Sequence, residues 1–210
     1  VSAFQHPVRV STFQHPAFLI HYPPDLFFCT IHGSLSVSET GSASESVSAS
    51  LREKLTPILG RVPSGVFILV AGDGSGRTTG LLASWIQQAS FEPAQVTVAV
   101  NKSRYLVDWL KHGSPVTINQ VAKGENTLFK HFGKGFDPDV EAFTALDCVQ
   151  GVSGLPLLKA AMTSMEGEIT GSMETGDHII FLITLTNAVA HREVSEFEPF
   201  VHLRKNGFSY

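Results

Sequence analysis

The sequence predicts a mainly β domain of the α+β kind, an antiparallel barrel with short peripheral helices. Three observations carry this. Six or so strand-like runs fall between residues 60 and 210. Only two short helical patterns interrupt them. The strands follow one another in meander-like order, whereas a doubly wound parallel sheet needs a helix after nearly every strand.

The elements follow in order. Ser50 is placed to cap a short helix from Leu51 to Leu59, with Pro57 in its last turn and Gly60 ending it. VPSGVFILVA (62–71) is an apolar, β-rich run bounded by turn residues. GDGSGRTTG (72–80) reads as a hairpin connection, because its glycines permit positive φ. LLASWIQQAS (81–90) follows, then the strand VTVAV (96–100). RYLVDWLKHG (104–113) predicts a short helix with Leu106, Trp109 and Leu110 on one face and Gly113 as its stop. PVTINQV (115–121) is a strand, and NTLFKHFGKG (126–135) a second short helix. MTSMEGEITGSM (162–173) and HIIFLITLTNAVA (178–190) flank ETGD and predict a long antiparallel hairpin. FVHLRKNGFSY (200–210) supplies a last strand or an extended tail.

Composition narrows the function classes. The chain has 210 residues, 43% apolar and 16% charged, with a net charge of −4. That is an ordinary globular balance, and it lacks the basic footprint of a nucleic-acid binder. Cys29 and Cys148 form no CxxC pair, so neither a disulfide framework nor a zinc site is indicated, and a reducing compartment fits. No apolar run approaches the roughly 20 residues of a spanning helix. Residues 1–50 read as a poorly ordered extension or linker, and residues 51–210 as one domain. The extension holds a single basic residue, Arg9, and its Ser-rich part, residues 33–50, cannot bury enough apolar surface to offset chain entropy. The chain begins with Val1, which suits a fragment, a mature product or a doubtful start.

Four stretches carry candidate chemistry, each with a plainer reading beside it. The Gly-rich segment 72–80 lacks the G-x-x-x-x-G-K-[ST] spacing of a phosphate loop, so a turn is the better reading. LASWIQQASFEP (82–93) couples the small residues Ala83, Ser84, Ala89 and Ser90 with Trp85. Small residues let a flat ring lie against the backbone, and the alternative is an ordinary barrel strand. NKSRYL (101–106) places Asn101, Lys102, Ser103 and Arg104 at a helix start, a good site for a phosphate monoester or simply a solvated cap. In GDH (176–178), Asp177 is able to orient the His178 imidazole for a ligand, or both are surface residues. No HxxxH, HxH or HExxH pair occurs in the ordered part, and no GxSxG elbow, which disfavours a metal centre and a serine hydrolase.

Taken together, GRVPSGVFILVA (60–71), LLASWIQQASFEPAQVTVAV (81–100), LFKHFGKGF (128–136), GDH (176–178) and HLRKNGFSY (202–210) resemble flavin reductase-like domains, above all the C-terminal domain of cyanobacterial and plastid-type flavodiiron proteins. The resemblance covers about residues 55–210. It implies an FMN-binding split β-barrel, a homodimer with FMN near the subunit interface, and electron entry from NADH or NADPH. It implies that Ala83, Ser84, Trp85 and Ser90 line the flavin, that Asn101, Lys102, Ser103 and Arg104 receive its phosphate, and that His178, with Asp177, lies beside flavin and nicotinamide. It implies that Arg204 and Tyr210 belong to a tail that closes the site. It implies an NAD(P)H:flavin oxidoreductase that passes electrons to a flavin or to a diiron, oxygen-reducing acceptor. The cytoplasm of a cyanobacterial-type cell is the expected location, with the chloroplast stroma as the alternative. The chain carries neither the diiron ligand pattern nor a flavodoxin phosphate loop, so diiron and flavodoxin-like domains would be partners. Two other readings stand beside this one: a non-catalytic flavin-binding or regulatory module, and a haem or F420 binder on a related barrel.

Overall fold

The computed structural model describes residues 41–209, with side chains from residue 48 onward; expectations for residues 1–40 and for Tyr210 fall outside the described residues. Helix α1 (Gly41–Gly60) is followed by β1 (Ser64–Gly65), β2 (Phe67–Gly72), β3 (Thr78–Ala83), β4 (Ile86–Ser90) and β5 (Gln95–Asn101). A 3₁₀ turn at Tyr105–Trp109 leads to β6 (Pro115–Gln120), α2 (Asn126–Phe132), β7 (Cys148–Gln150) and β8 (Pro156–Leu158). The chain then runs through β9 (Thr163–Glu174) and β10 (His178–Ala190) to β11 (Val201–His202).

Seven strands form one antiparallel sheet in the order β3-β2-β6-β9-β10-β5-β4. The expected long hairpin is present: β9 and β10 pair from Ile179 opposite Glu174 to Ala190 opposite Thr163. β3 and β4 lie at opposite edges of the sheet, yet only Ser84 and Trp85 join them. Laid flat, seven strands would separate the edges by about 29 Å, six spacings of about 4.8 Å. Three Cα steps reach at most about 11 Å. The sheet must therefore curl until its edges meet at that link, and this makes the barrel. The link is pinned to β5 by a hydrogen bond from the Ala99 N–H to the Trp85 carbonyl (3.0 Å).

Side-chain alternation explains which residues fill it. On β5, Val96, Val98 and Val100 are buried and their neighbours are not fully so, the period of a strand with one face inward. Their cluster includes Leu69, Ile118, Ile169, Phe181 and Ile183. β2 buries both faces, so its apolar run is unbroken. Phe67, Leu69 and Ala71 join that cluster, and Ile68 and Val70 face a second one with Leu128 and Phe132 of α2 and Leu158 of β8.

Two expectations are corrected, and two strand pairs are new. Helix α1 starts ten residues before the expected Leu51, inside the stretch read as a linker. No Gly or Pro occurs between Ser42 and Thr56 to break it, and alanine and glutamate favour helix. The helical pattern at residues 104–113 forms only a 3₁₀ turn, although Leu106 and Leu110 are buried as anticipated. The pairs β1–β11 and β7–β8 were not anticipated, being two and three residues long.

One carboxylate ties the outer loop to the sheet. Glu166 of β9 is fully buried. It accepts hydrogen bonds from the Val152 N–H (3.3 Å), the Ser153 N–H (3.0 Å), the Ser153 hydroxyl (2.7 Å) and the Asn187 amide (2.8 Å). Burial pushes its carboxyl up, but these donors outweigh burial and hold it below its ordinary value. A depressed carboxylate stabilises the fold above the unfolded-state value and loses that contribution as pH falls through the folded one. Glu166→Gln is expected to lower stability by about 1–3 kcal/mol at neutral pH, measured by urea unfolding, because one oxygen becomes a donor facing donors. The gap between wild type and variant should narrow as the solution is acidified below the carboxylate range.

Candidate functional site

Three of the stretches singled out in the sequence meet at the C-terminal end of β5. The reason is its position in the sheet, between β10 and β4. On one side the Ala99 N–H holds the Trp85 carbonyl. On the other, His178 pairs with Asn101, and the Lys102 N–H donates to the Asp177 carbonyl (2.9 Å). A cavity of about 880 Å³ opens there, lined by Ala83, Ser84, Trp85, Asn101, Ser103, Arg104, Asp177 and His178. Its apolar wall includes Val66, Leu81, Phe129 and Phe132. Ala83 and Ser84 are buried and small, so backbone is close to the cavity surface where the two sheet edges meet.

The loop after β5 is an Asx turn. The Asn101 side-chain oxygen accepts from the Ser103 N–H (2.9 Å) and the Ser103 hydroxyl (2.7 Å). Asn101 and Ser103 thus shape the loop, and Arg104 is the charged group it offers to the cavity. The 3₁₀ turn that follows has five residues, too short for a helix dipole to add much. The expected helix start is corrected to a 3₁₀ turn, and the positive charge beside the cavity here is the Arg104 guanidinium.

Across the cavity a stack is built on Trp85. The His178 ring lies 4.8 Å from the Trp85 ring, centroid to centroid, and the Arg204 guanidinium 5.1 Å from it. The Asp177 carboxylate sits 2.8 Å from His178 Nδ1, and that contact, followed by its own backbone and the His178 charge, holds the Asp177 carboxyl below its ordinary value. The His178 side chain is 14% exposed and that of Asp177 85% exposed, so the carboxylate anchors the ring from the solvent side.

Two expected site residues lie elsewhere. Ser90 is at the far end of β4, four strand residues beyond the link, and does not line the cavity. Lys102 turns outward to an ion pair with Glu174 (3.0 Å). Arg52, His202 and Phe208 line the cavity and were not anticipated. They come from α1, β11 and the tail, whose approach depends on tertiary packing. The Gly-rich hairpin is a turn, as read. Asp73 accepts from the N–H groups of Ser75 (2.8 Å) and Arg77 (3.1 Å) and pairs with Arg77 Nε (2.7 Å), so its own carboxylate takes the donors a phosphate would need. Gly74 and Gly76 have φ of 80° and 104°, which side chains rarely adopt.

Comparison with known proteins decides the family. The model of the flavin reductase like domain matches residues 59–208, which is most of the chain. The chain belongs to that family. The flavin reductase like domain recurs in curated relatives. Diflavin flavoprotein A 1 of Synechocystis sp. is 33% identical over 159 residues, covering 70% of this chain and 28% of that protein. A putative diflavin flavoprotein A 3 of Nostoc sp. is 33% identical, covering 77% of this chain and 28% of that protein. The chain therefore spans little more than a quarter of the relatives' length. Among solved structures, the NADH:FAD oxidoreductase of Streptomyces globisporus C-1027 superposes with a TM-score of 0.64 at 24% identity, covering 81% of this chain and 94% of that one. Flavoredoxin of Methanosarcina acetivorans does so at 0.61 and 17%, covering 69% and 82%. These structural likenesses show the fold, an antiparallel split barrel.

Proposed function

We propose that this flavin reductase like domain binds FMN in the cavity at the end of β5 and takes electrons from NADH or NADPH. The observation that carries the reading is one shared cavity, in which a small-residue corner, an arginine loop and an anchored histidine face one space. The residues present fit the group. A volume of about 880 Å³ lies within the usual range of cofactor pockets, about 300–1,000 Å³. An apolar wall beside a buried small-residue corner suits a flat ring, and a guanidinium suits a phosphate monoester.

Hydride acceptance and onward electron delivery are the chemistry that bound flavin supplies. The chain's own residues do the rest. Ala83 and Ser84, being small, let the ring approach the backbone of the corner. Arg104 holds the phosphate. Trp85 and Asp177 fix the His178 ring, and His178 positions the pyridine nucleotide against the flavin. Val66, Leu81 and Phe129 keep water from the reacting face. No side chain is assigned as acid or base.

The acceptor is a second flavin or a diiron, oxygen-reducing centre, and flavodoxin-like and diiron domains are the proposed partners. Relatives of which the match spans little more than a quarter, named diflavin flavoproteins, support that reading. A homodimer belongs to the same proposal; Phe91, 89% exposed between β4 and β5, is a surface a second copy would cover. The cytoplasm is the proposed location, supported by cyanobacterial relatives. Among the described residues no helix is long and apolar enough to cross a membrane. The second reading is a flavin-binding or regulatory module that reduces nothing.

Adding NAD(P)H anaerobically to the FMN-loaded chain should bleach the flavin band near ~450 nm within seconds. An unbleached band supports the binding module instead. His178→Ala should raise the KM for the nucleotide while FMN stays bound; unchanged kinetics would remove the positioning role. Arg104→Ala should weaken FMN about 10- to 100-fold and leave riboflavin, which lacks the phosphate, nearly unaffected. Equal losses for both ligands, measured by fluorescence quenching, would contradict the phosphate assignment.

A further inference from the structure

The cavity has a second cationic wall. It comes partly from outside the family-matched region, because Arg52 on α1 precedes residue 59. Helix α1 and the C-terminal tail are joined by backbone hydrogen bonds, from the Arg204 N–H to the Gly60 carbonyl (2.9 Å) and from the Gly207 N–H to the Thr56 carbonyl (2.9 Å). Gly60 and Gly207 permit this approach. A Cβ at Gly60 would stand 2.7 Å from the Arg204 carbonyl oxygen, and one at Gly207 would collide with Leu59. The joint sets the Arg52 guanidinium 4.2 Å from the centroid of the Phe208 ring, on the cavity lining. Arg204, also on the lining, is held over Trp85 and bonds the Gly207 carbonyl through Nη1 (3.3 Å).

Charge then decides what the cavity takes. Its lining carries three arginines, Arg52, Arg104 and Arg204, against one carboxylate, Asp177, in a chain whose net charge is −4. A single phosphate monoester answers the Arg104 loop. The cap formed by α1 and the tail holds a further pair of guanidinium groups, each braced by an aromatic ring that limits its rotation. Planar guanidinium forks match the oxygens of a diphosphate bridge.

We propose that Arg52 and Arg204 form a second anion subsite, which takes the diphosphate of the pyridine nucleotide while Arg104 takes the flavin phosphate. The assignment rests on the reading of the cavity as a flavin and nucleotide site. It makes α1 part of the nucleotide site, and Arg52 a positioning residue for the electron donor.

The test uses the full chain loaded with FMN, with inorganic pyrophosphate and ADP-ribose as calorimetric probes. Wild type is expected to bind both. Arg52→Ala, a change at an exposed helix position, should weaken both about tenfold or more, and Arg52→Lys should recover part of the loss. FMN affinity should change less than twofold in either variant. In turnover, Arg52→Ala should raise the KM for NAD(P)H more than it changes kcat. Equal pyrophosphate and ADP-ribose binding in wild type and Arg52→Ala would overturn the subsite, as would absence of binding in wild type or an equal loss of FMN. If NAD(P)H never reduces the flavin but the probes bind in an Arg52-dependent way, the reductase reading fails and the anion subsite stands.

Discussion

Two residues connect the opposite edges of a seven-stranded sheet, and that shortage of chain shapes the molecule. Ser84 and Trp85 cannot span a flat sheet, so the sheet curls and its two edges meet. The corner thus made is lined by residues too small to fill it, Ala83 and Ser84, and a cavity forms beside them. Chain closure and site formation are the same event. A longer β3–β4 link would relax the first and open the second.

β5 converts this corner into a site. Its inward valines anchor it to the barrel core, and its backbone pairs with β4 on one side and β10 on the other. The register with β10 brings Asp177 and His178 to the loop at 101–104. Positive charge collects around the space from three separate elements, the β5 loop, α1 and the tail. Aromatic rings brace two of those charges, and the Asp177 carboxylate braces His178. The space is cationic as a result, which suits the flavin and nucleotide groups proposed for it.

Much of this was legible in the sequence because it depends on local pattern. The strand at 96–100 and the hairpin around ETGD carry their own signals in β-branched residues and turn chemistry. The stretches at 83–85, 101–104 and 177–178 were recognisable by residue type, and the fold brings them to one cavity. What escaped depends on contacts distant in sequence. Arg52 and Phe208 lie more than 150 positions apart, and only the packing of α1 on the tail makes them neighbours. Ser90 shares the composition of Ala83 and Ser84, but β4 carries it away from the corner at about 3.3 Å per residue. The helical pattern at 104–113 is a 3₁₀ turn over Tyr105–Trp109, with the next strand beginning at Pro115.

The dependence of the site on the curled sheet is open to one direct measurement, hydrogen–deuterium exchange across an FMN titration. Peptides covering residues 81–90 and 99–106 should gain protection together, with the same midpoint, since the corner and the loop face one ligand. Protection of only one of them, or protection at clearly different FMN concentrations, would contradict a shared cavity at the end of β5.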